Sequence, residues 1–425
     1  MSLPELKEIS GQPNIVVIGG GAAGYFAAIR AAELNPRIKV VLLEATRRVL
    51  TKVHLSGGGR CNVTHHCFDP AKLIENYPRG SRELRSAFTR FQPRDTVSWF
   101  DARGVSLKVE EDGRMFPVTD QSATIAGCLE AAAAKARVQV RLGASVIQVS
   151  RIDSGGFRLT LKDGTELTTD RLMIASGSAP LGLELAASLG HKIEPHVPSL
   201  FTFNIKDQRL QDLAGVSFAD VELMMQCAGS KKLERRGPML ITHWGLSGPA
   251  VLKLSAFGAV SLHSAGYKAS LRVNFLPALS ASQVEGVLRQ YKSDHARRIV
   301  LKNAPFADLP RRFWETLVAV SGIANDLTYA DLTRQHIDRL VGEIHAADYQ
   351  ITGKGVFKDE FVSAGGITLK EVDFRTLESR VVPGLYFAGE VLAVDGITGG
   401  FNFQAAWTTA WIAGQAMVES LGRDH

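Results

Sequence analysis

The stretch NIVVIGGGAAGYFAAIRAAELNPRIKVVLLEA, residues 14–45, constrains the fold more than any other part of the chain. Asn14–Ile18 is a short apolar run, the pattern of a strand buried on both faces, and a glycine turn follows it. Ala22–Leu34 is a helix of small residues that Pro36 ends, and Lys39–Leu43 is a second apolar strand closing on Glu44. Strand, tight turn, helix and acidic strand end form a βαβ unit, with the dinucleotide fingerprint at Gly19, Gly21 and Gly24. Each glycine has its own reason. Gly19 makes the turn, Gly21 lets a pyrophosphate approach the backbone, and Gly24 lets helix and strand pack closely. The helix N-terminus then faces the phosphates with about half a positive charge. Glu44 stands where an acid bonds a ribose.

Downstream, Arg79–Phe91 and Asp95–Arg103 read as helices, and VEEDGRMFP as a hairpin on Asp112-Gly113. Asp120 is placed to cap a helix running to about Ala136. Strands are expected near 138–141, 145–152, 157–162 and 172–175, with turns at Ser154-Gly155-Gly156 and Asp163-Gly164. From about His191 the character changes. Pro195 and Pro198 precede β-like alternation through LFTFNI, VSFADVELMMQC and RRGPMLITHWG, and helical segments follow near 281–291, 310–320 and 329–345. The chain ends in a helix from about Phe401 to Leu421. The expected fold is α/β: a discontinuous, Rossmann-like dinucleotide domain of the glutathione-reductase kind over 1–190 and 356–425. Inserted in it are a β-rich module at 191–278 and a small helical module at 279–355.

A second glycine-rich segment, VPGLYFAGEVLAVDGITGGFNFQAA, separates FAD from NAD. An apolar strand leads to Gly389-Glu390, the place where FAD enzymes of this fold bond the ribityl or phosphate region. Gly399-Gly400 opens the last helix, whose free N–H groups can face the flavin N1/O2 edge and stabilise the charge of reduced flavin. There is no second fingerprint for a separate NAD(P)H domain.

At this point the chain resembles the BaiN-like FAD-dependent oxidoreductases, which include aminoacetone-oxidase-like members. The resemblance is carried by GGGAAG at 19–24, SGGGRCNVT at 56–64, GRMFP at 113–117 and THWGLSGPAVLKLS at 242–255. GGITLKEVDFRTLESRVVPGLYFAGE at 365–390 and DGITGGFNFQAAW at 395–407 complete it, in order and over nearly the whole chain. His65, the stretch ASGSAPLG and Ala393 depart from the family pattern and mark a subfamily. The resemblance implies bound FAD with Gly57, Gly58 and Gly59 laying bare backbone along it, and with Lys52 and Arg60 supplying positive charge. The expected cofactor contacts begin with Gly19, Gly21, Ala22, Ala23, Gly24, Glu44, Ala45 and Lys52. They continue with Ser56, Gly57, Gly58, Gly59, Arg60, Cys61 and Asn62, then Val146, Ala175, Ser176 and Gly177. Gly389, Glu390, Gly399, Gly400, Phe401 and Asn402 complete the set.

The four cysteines, Cys61, Cys67, Cys128 and Cys227, form no CxxC or zinc spacing, and no metal site is expected. Cys61 and Cys67 are not at the spacing of a disulfide reductase, so Cys61 reads as packing rather than redox chemistry. His243 and Ser247 in THWGLSGP are weak catalytic candidates beside Cys61. A loop whose polar groups satisfy its own backbone is the blander account. His54, His65 and His66 are uncommitted. For flavin chemistry the cofactor performs the hydride transfer and the protein supplies position and electrostatics.

The leading expectation is an FAD-dependent oxidoreductase that reduces a C=C or C=N bond of a small molecule, with NAD(P)H as a transient donor. One alternative is an oxidase of an aminoketone or amine that releases hydrogen peroxide. Another is a flavin-dependent reductase of uridine in ribosomal RNA, and a non-catalytic flavin-binding scaffold ranks last. The RNA reading rests on the net charge of +6, on Arg79, Arg82, Arg85, Arg90 and Arg94, and on KKLERR at 231–236. Arg82 and Arg85 share a helix face, which Arg79 would extend; a solvated helix explains them as well. The first dozen residues carry no secretory pattern, no apolar run spans a membrane, and the cysteine usage suits the cytoplasm.

Overall fold

The computed structural model describes residues 14–153, 155–355 and 362–422; the expectations for the first dozen residues and for Ser154 lie outside them. The chain divides into two compact units, residues up to His196 with those from Ser363 on, and Val197–Val362.

The first unit is built on Ile15–Ile18. All four of its side chains are buried, as in a sheet covered on both faces, and it has a parallel neighbour on each side: Val40–Glu44 in register from Ile15↔Val40, and Arg171–Ile174 from Ile15↔Arg171. Leu385–Phe387 extends the sheet beyond Arg171–Ile174, and Gln139–Leu142 beyond Val40–Glu44. The strands Val372–Asp373 and Glu378–Ser379 form an antiparallel edge. Two helices of small residues lie together, Ala22–Leu34 and Phe401–Leu421. Their closeness is read at Gly414, where a Cβ would stand 2.7 Å from the Ala27 carbonyl oxygen. Phe26 fills the space between them against Trp407, at 5.2 Å between ring centres.

The hairpin at Asp112-Gly113 forms between Leu107–Val109 and Arg114–Pro117, and Thr64–His65 adds a third strand. The meander Val146–Arg151, Phe157–Leu161 and Glu166–Thr169 is antiparallel. Asp120 does not cap the helix Ser122–Lys135. Its N-cap is Gln121, while Lys108 and Arg60 draw the Asp120 carboxylate to the hairpin.

In the second unit six strands close a barrel: Phe203–Ile205, Gly245–Ser247, Leu233–Thr242, Ser217–Gln226, Ala269–Asn274 and Ala347–Lys354. Helices Ala281–Asp294, Arg311–Val320 and Arg334–His345 come in sequence before its last strand. Barrel and helices share one core, in which Phe218 meets Phe313 at 5.0 Å. Helix Pro249–Ser264 also contributes to that core, through Val251 and Leu254. No helix among the described residues is long and apolar enough to cross a membrane.

Candidate functional site

Gly19, Ala175 and Gly389 follow the C-terminal ends of three adjacent parallel strands, where open α/β sheets bind ligands. Gly24 is held against the first turn so tightly that a Cβ would stand 1.9 Å from the Gly19 carbonyl oxygen. A Cβ at Gly19 would stand 2.5 Å from that of Ala175, whereas one at Gly21 would meet no atom within 4 Å. The turn therefore presses inward at Gly19 and Gly24 and presents bare backbone at Gly21. Glu44 locks it from below: one carboxylate oxygen accepts the Gly20 N–H at 2.8 Å and the other the Thr46 N–H at 2.8 Å. Each oxygen keeps a second lone pair for a hydroxyl.

Next to these strand ends Lys52 pairs with Glu390 and donates to Ser178 Oγ at 3.2 Å. Glu390 follows Gly389, whose N–H bonds Thr409 Oγ1 at 3.0 Å and whose Cβ position lies 2.8 Å from that of Ala23. A Cβ at Gly177 would stand 3.9 Å from Glu390 Oε2. Ser176 Oγ and His196 Nε2 are among the buried side-chain atoms of this unit with no hydrogen-bond partner among the described residues. Burial lowers the His196 pKa from its ordinary 6.5, Glu390 opposes the shift and Lys52 reinforces it.

SGGGRCN behaves differently from a plain loop. A helical turn begins at Thr51, and Ser56 breaks it with ψ 151°. Gly57, Gly58, Gly59 and Cys61 then take φ of 59°, 68°, 85° and 64°, interrupted by Arg60 at φ −94°, a left-handed run that only glycine adopts without cost. A Cβ at Gly58 or Gly59 would meet nothing within 4 Å, and both residues are exposed. Arg60 has partners of its own: its guanidinium bonds Glu110 at 2.6 Å, lies 3.5 Å from Asp120 and stacks 4.0 Å above the Phe116 ring. Cys61 is fully buried, and burial pushes its thiol from 9.0 up to about 12, against a hydrogen bond with Ser56. That suits packing rather than a reactive thiolate.

The two glycine-rich segments meet at Asn62. The amide orientation that satisfies both its ends accepts the Gly400 N–H at 2.9 Å and donates to the Thr64 carbonyl at 3.1 Å. Gly400 lies so close that a Cβ would stand 2.5 Å from the Thr64 oxygen. Phe401 stacks on His65 at 4.6 Å between ring centres, and its carbonyl accepts the Tyr77 hydroxyl at 2.7 Å. Asn402 bonds Gly396 through both amide atoms, at 2.8 and 3.0 Å. The last helix thus begins beside the left-handed run.

The remaining candidates spread out. Ala22 opens the first helix, Ala45 is exposed after Glu44, and Val146 is buried in the meander. His243 and Ser247 belong to the second unit. There His243 sits exposed in the turn between two barrel strands, and Ser247 pairs with Leu240. Arg79 does not extend a surface stripe: it precedes the helix Ser81–Phe88 and pairs with Asp395, which is buried. Arg82 and Arg85 are exposed. Reading along the chain gave no role to Ser178 and Gln404, although they lie inside ASGSAPLG and DGITGGFNFQAAW, and it missed His196 and Thr409, which no quoted motif contains.

These residues fit FAD. Open backbone at Gly21, Gly58 and Gly59, a fixed carboxylate at Glu44 and the buried His196 Nε2, whose titration Glu390 and Lys52 influence, are what a dinucleotide would engage. FAD, when bound, supplies hydride transfer. Gly19–Gly24 with the helix N-terminus would hold the pyrophosphate, Glu44 a ribose, Glu390 the ribityl side, and Gly57–Gly59 with Gly400–Asn402 the ring.

The family described as HI0933-like protein Rossmann domain matches residues 13–416. The chain is 30% identical over 422 residues to the 3-dehydro-bile acid delta(4,6)-reductase of Clostridium scindens, covering 96% of this chain and 99% of that protein. It is also 30% identical over 416 residues to the ribosomal RNA dihydrouridine synthase of Escherichia coli, covering 95% and 98%. Among solved structures it is similar in fold to the open conformation of a flavocytochrome c3 fumarate reductase. That likeness has a TM-score of 0.50 at 13% identity and covers 97% of this chain and 79% of that one.

Proposed function

From the premise that this chain belongs to the HI0933-like family of FAD-dependent oxidoreductases, we propose that it reduces a carbon–carbon double bond conjugated to a carbonyl, in a small molecule, with NAD(P)H as electron donor. The names of the two relatives describe related chemistry. A 3-keto compound unsaturated at position 4 and the uracil ring both hold a C=C bond next to a C=O. Hydride added at the far carbon sends charge to the carbonyl oxygen, and a proton at the near carbon completes the reduction.

The observation that carries the reading is the Asn62–Gly400 contact, which brings the bare backbone of Gly57–Gly59 beside the opening of the last helix. N–H groups there would favour the anionic reduced flavin, the form that gives up hydride.

A small substrate is favoured over RNA because several basic side chains are already engaged. Arg79 is on Asp395, Arg90 on the Arg375 carbonyl, Arg235 over Phe257 at 3.6 Å and Arg236 on Asp220 at 2.6 Å. The uridine reading keeps exposed Arg82 and Arg85 and the second relative's name in its support.

One experiment separates the readings. The purified protein, yellow with FAD, is reduced anaerobically with NADH or NADPH and reoxidised with a conjugated enone, with ribosomal RNA, or with air. Enone turnover that salt hardly affects is the expected result. Saturation of uridine, with RNA affinity falling by about 0.7 in log–log slope per neutralised phosphate, would overturn it. Fast reoxidation by air alone would make the enzyme an oxidase.

A further inference from the structure

Each residue of Asn62–Thr64 is bonded to the last helix. The Asn62 amide oxygen accepts the Gly400 N–H at 2.9 Å, the Val63 carbonyl accepts Trp407 Nε1–H at 2.9 Å, and Thr64 Oγ1 donates to Gln404 Oε1 at 2.6 Å. Positions 400, 404 and 407 are spaced four and three apart, so they stand on one helix face. Gln404 is the middle of this seam and is fully buried. Its Oε1 also accepts Thr96 Oγ1 at 2.8 Å, and its Nε2 donates to Thr408 Oγ1 at 3.0 Å. A buried amide is costly unless satisfied. Three threonine hydroxyls, from the strand Thr64–His65, the helix Pro93–Asp101 and the last helix itself, satisfy this one, in a helix whose other buried residues are mostly apolar.

The seam starts one residue after the left-handed run ends. Cys61 has a Cβ, so its φ of 64° is disfavoured and persists only where the surroundings over-determine it. On the N-terminal side the run is anchored by the Leu50 N–H on the Gly20 carbonyl at 2.9 Å and by Ser122 Oγ on the His54 carbonyl at 3.0 Å. On the C-terminal side it is held by the seam on one hand and by the pairing with Arg114–Pro117 on the other, where the Val63 N–H bonds the Met115 carbonyl at 2.9 Å.

We infer that Gln404 is a positioning residue: through Thr64 it holds the Gly57–Cys61 backbone at the opening of the last helix, and so tunes the reactivity of the flavin without being needed to retain it. This rests on the FAD site proposed above. Retention is left to the Gly19–Gly24 turn and Glu44, which the seam does not touch.

The test uses the holoenzyme and the affinity of the oxidised flavin for sulfite, which reports how well the ring tolerates negative charge. Gln404→Leu and Thr64→Val should keep one FAD per chain and lose about tenfold in sulfite affinity, the factor that one hydrogen bond of ordinary strength represents. The double variant should lose no more than the larger single loss. Thr96→Val removes the other hydroxyl from the same Gln404 Oε1, one carried by the helix Pro93–Asp101 and not by the Asn62–Thr64 segment. It should lower the melting temperature and leave sulfite affinity unchanged. If Gln404→Leu does not fold, Thr64→Val decides alone. Wild-type sulfite affinity in an FAD-replete Thr64→Val protein, or an equal loss in Thr96→Val, would overturn the inference. Wild-type protein that takes up no FAD would instead sink the functional reading beneath it.

Discussion

The first unit holds two runs of three glycines, 19–21 and 57–59, and they are glycine for opposite reasons. At the first turn the backbone is crowded. The Cβ of any other residue would stand 1.9 Å from a carbonyl oxygen at position 24 and 2.5 Å from one at position 19. At the second, nothing crowds Gly58 or Gly59, and what requires glycine is the sign of φ. The first turn is a packing device at Gly19 and Gly24, open only at Gly21. The second is a conformational device: Gly57 is pressed on Phe116, where a Cβ would stand 2.8 Å from the ring, and Gly58 and Gly59 are bare to a ligand. The difference teaches that glycine in a cofactor loop supplies either contact between elements or shape, and that the two answer differently to substitution.

The largest effect belongs to the packed turn. Gly24→Val would force the helix Ala22–Leu34 off its strand, with overpacking well beyond the 1–3 kcal/mol of an ordinary extra methylene. The expected outcome is loss of FAD and of much of the folded protein, read by flavin content and thermal melting. Gly104→Ala, where a Cβ meets nothing within 4 Å, should keep full flavin content. Equal flavin content in the two proteins would break the comparison.

At the second run the effect should be smaller and depend on the side chain. Gly58→Ala places a Cβ at φ 68° in open space, so its cost is the left-handed penalty alone, about 1–2 kcal/mol. Gly58→Asn should cost less, because asparagine tolerates that conformation. Urea midpoints of the two variants check the order. A cost at Gly58→Ala as large as at Gly24→Val would show that the second run is packed after all.

How much of this was readable in the chain follows the same division. The first turn, Glu44 and the last helix were legible because their signals are local: an apolar run, glycines at fixed spacing, an acidic strand end, and Gly399-Gly400 ahead of Phe401–Leu421. The helix Pro249–Ser264 was not read, since it is apolar around much of its circumference and shows no clear polar face. Asp120 looked like a cap, but Lys108 and Arg60 outcompete the backbone for its carboxylate. Gln404 and Thr64 both stand in quoted motifs, but their bond could not be read, because they are 340 residues apart and neither lies in a spacing that implies the other. The contacts that shape the second run are long-range, and a sequence states only their ends.

The smallest effect is expected at Cys61, the one residue of the left-handed run with a side chain, and it sharpens the comparison by reporting whether the run is held. Burial raises the thiol from 9.0 to about 12, so below about pH 10 the folded protein carries it protonated and shielded. Thiol reagents at pH 8 should therefore modify half-buried Cys67 and Cys128 before Cys61. The sign for stability follows from linkage. The unfolded chain releases this proton near pH 9 while the folded chain retains it, so the contribution is full below pH 9 and is lost as pH rises from 9 toward 12. Cys61→Ser should remove that alkaline loss, keep FAD and leave flavin reduction near the wild-type rate. Rapid labelling of Cys61 at pH 8 in the FAD-bound protein would show that the run opens freely, and that the flanking anchors do not hold it.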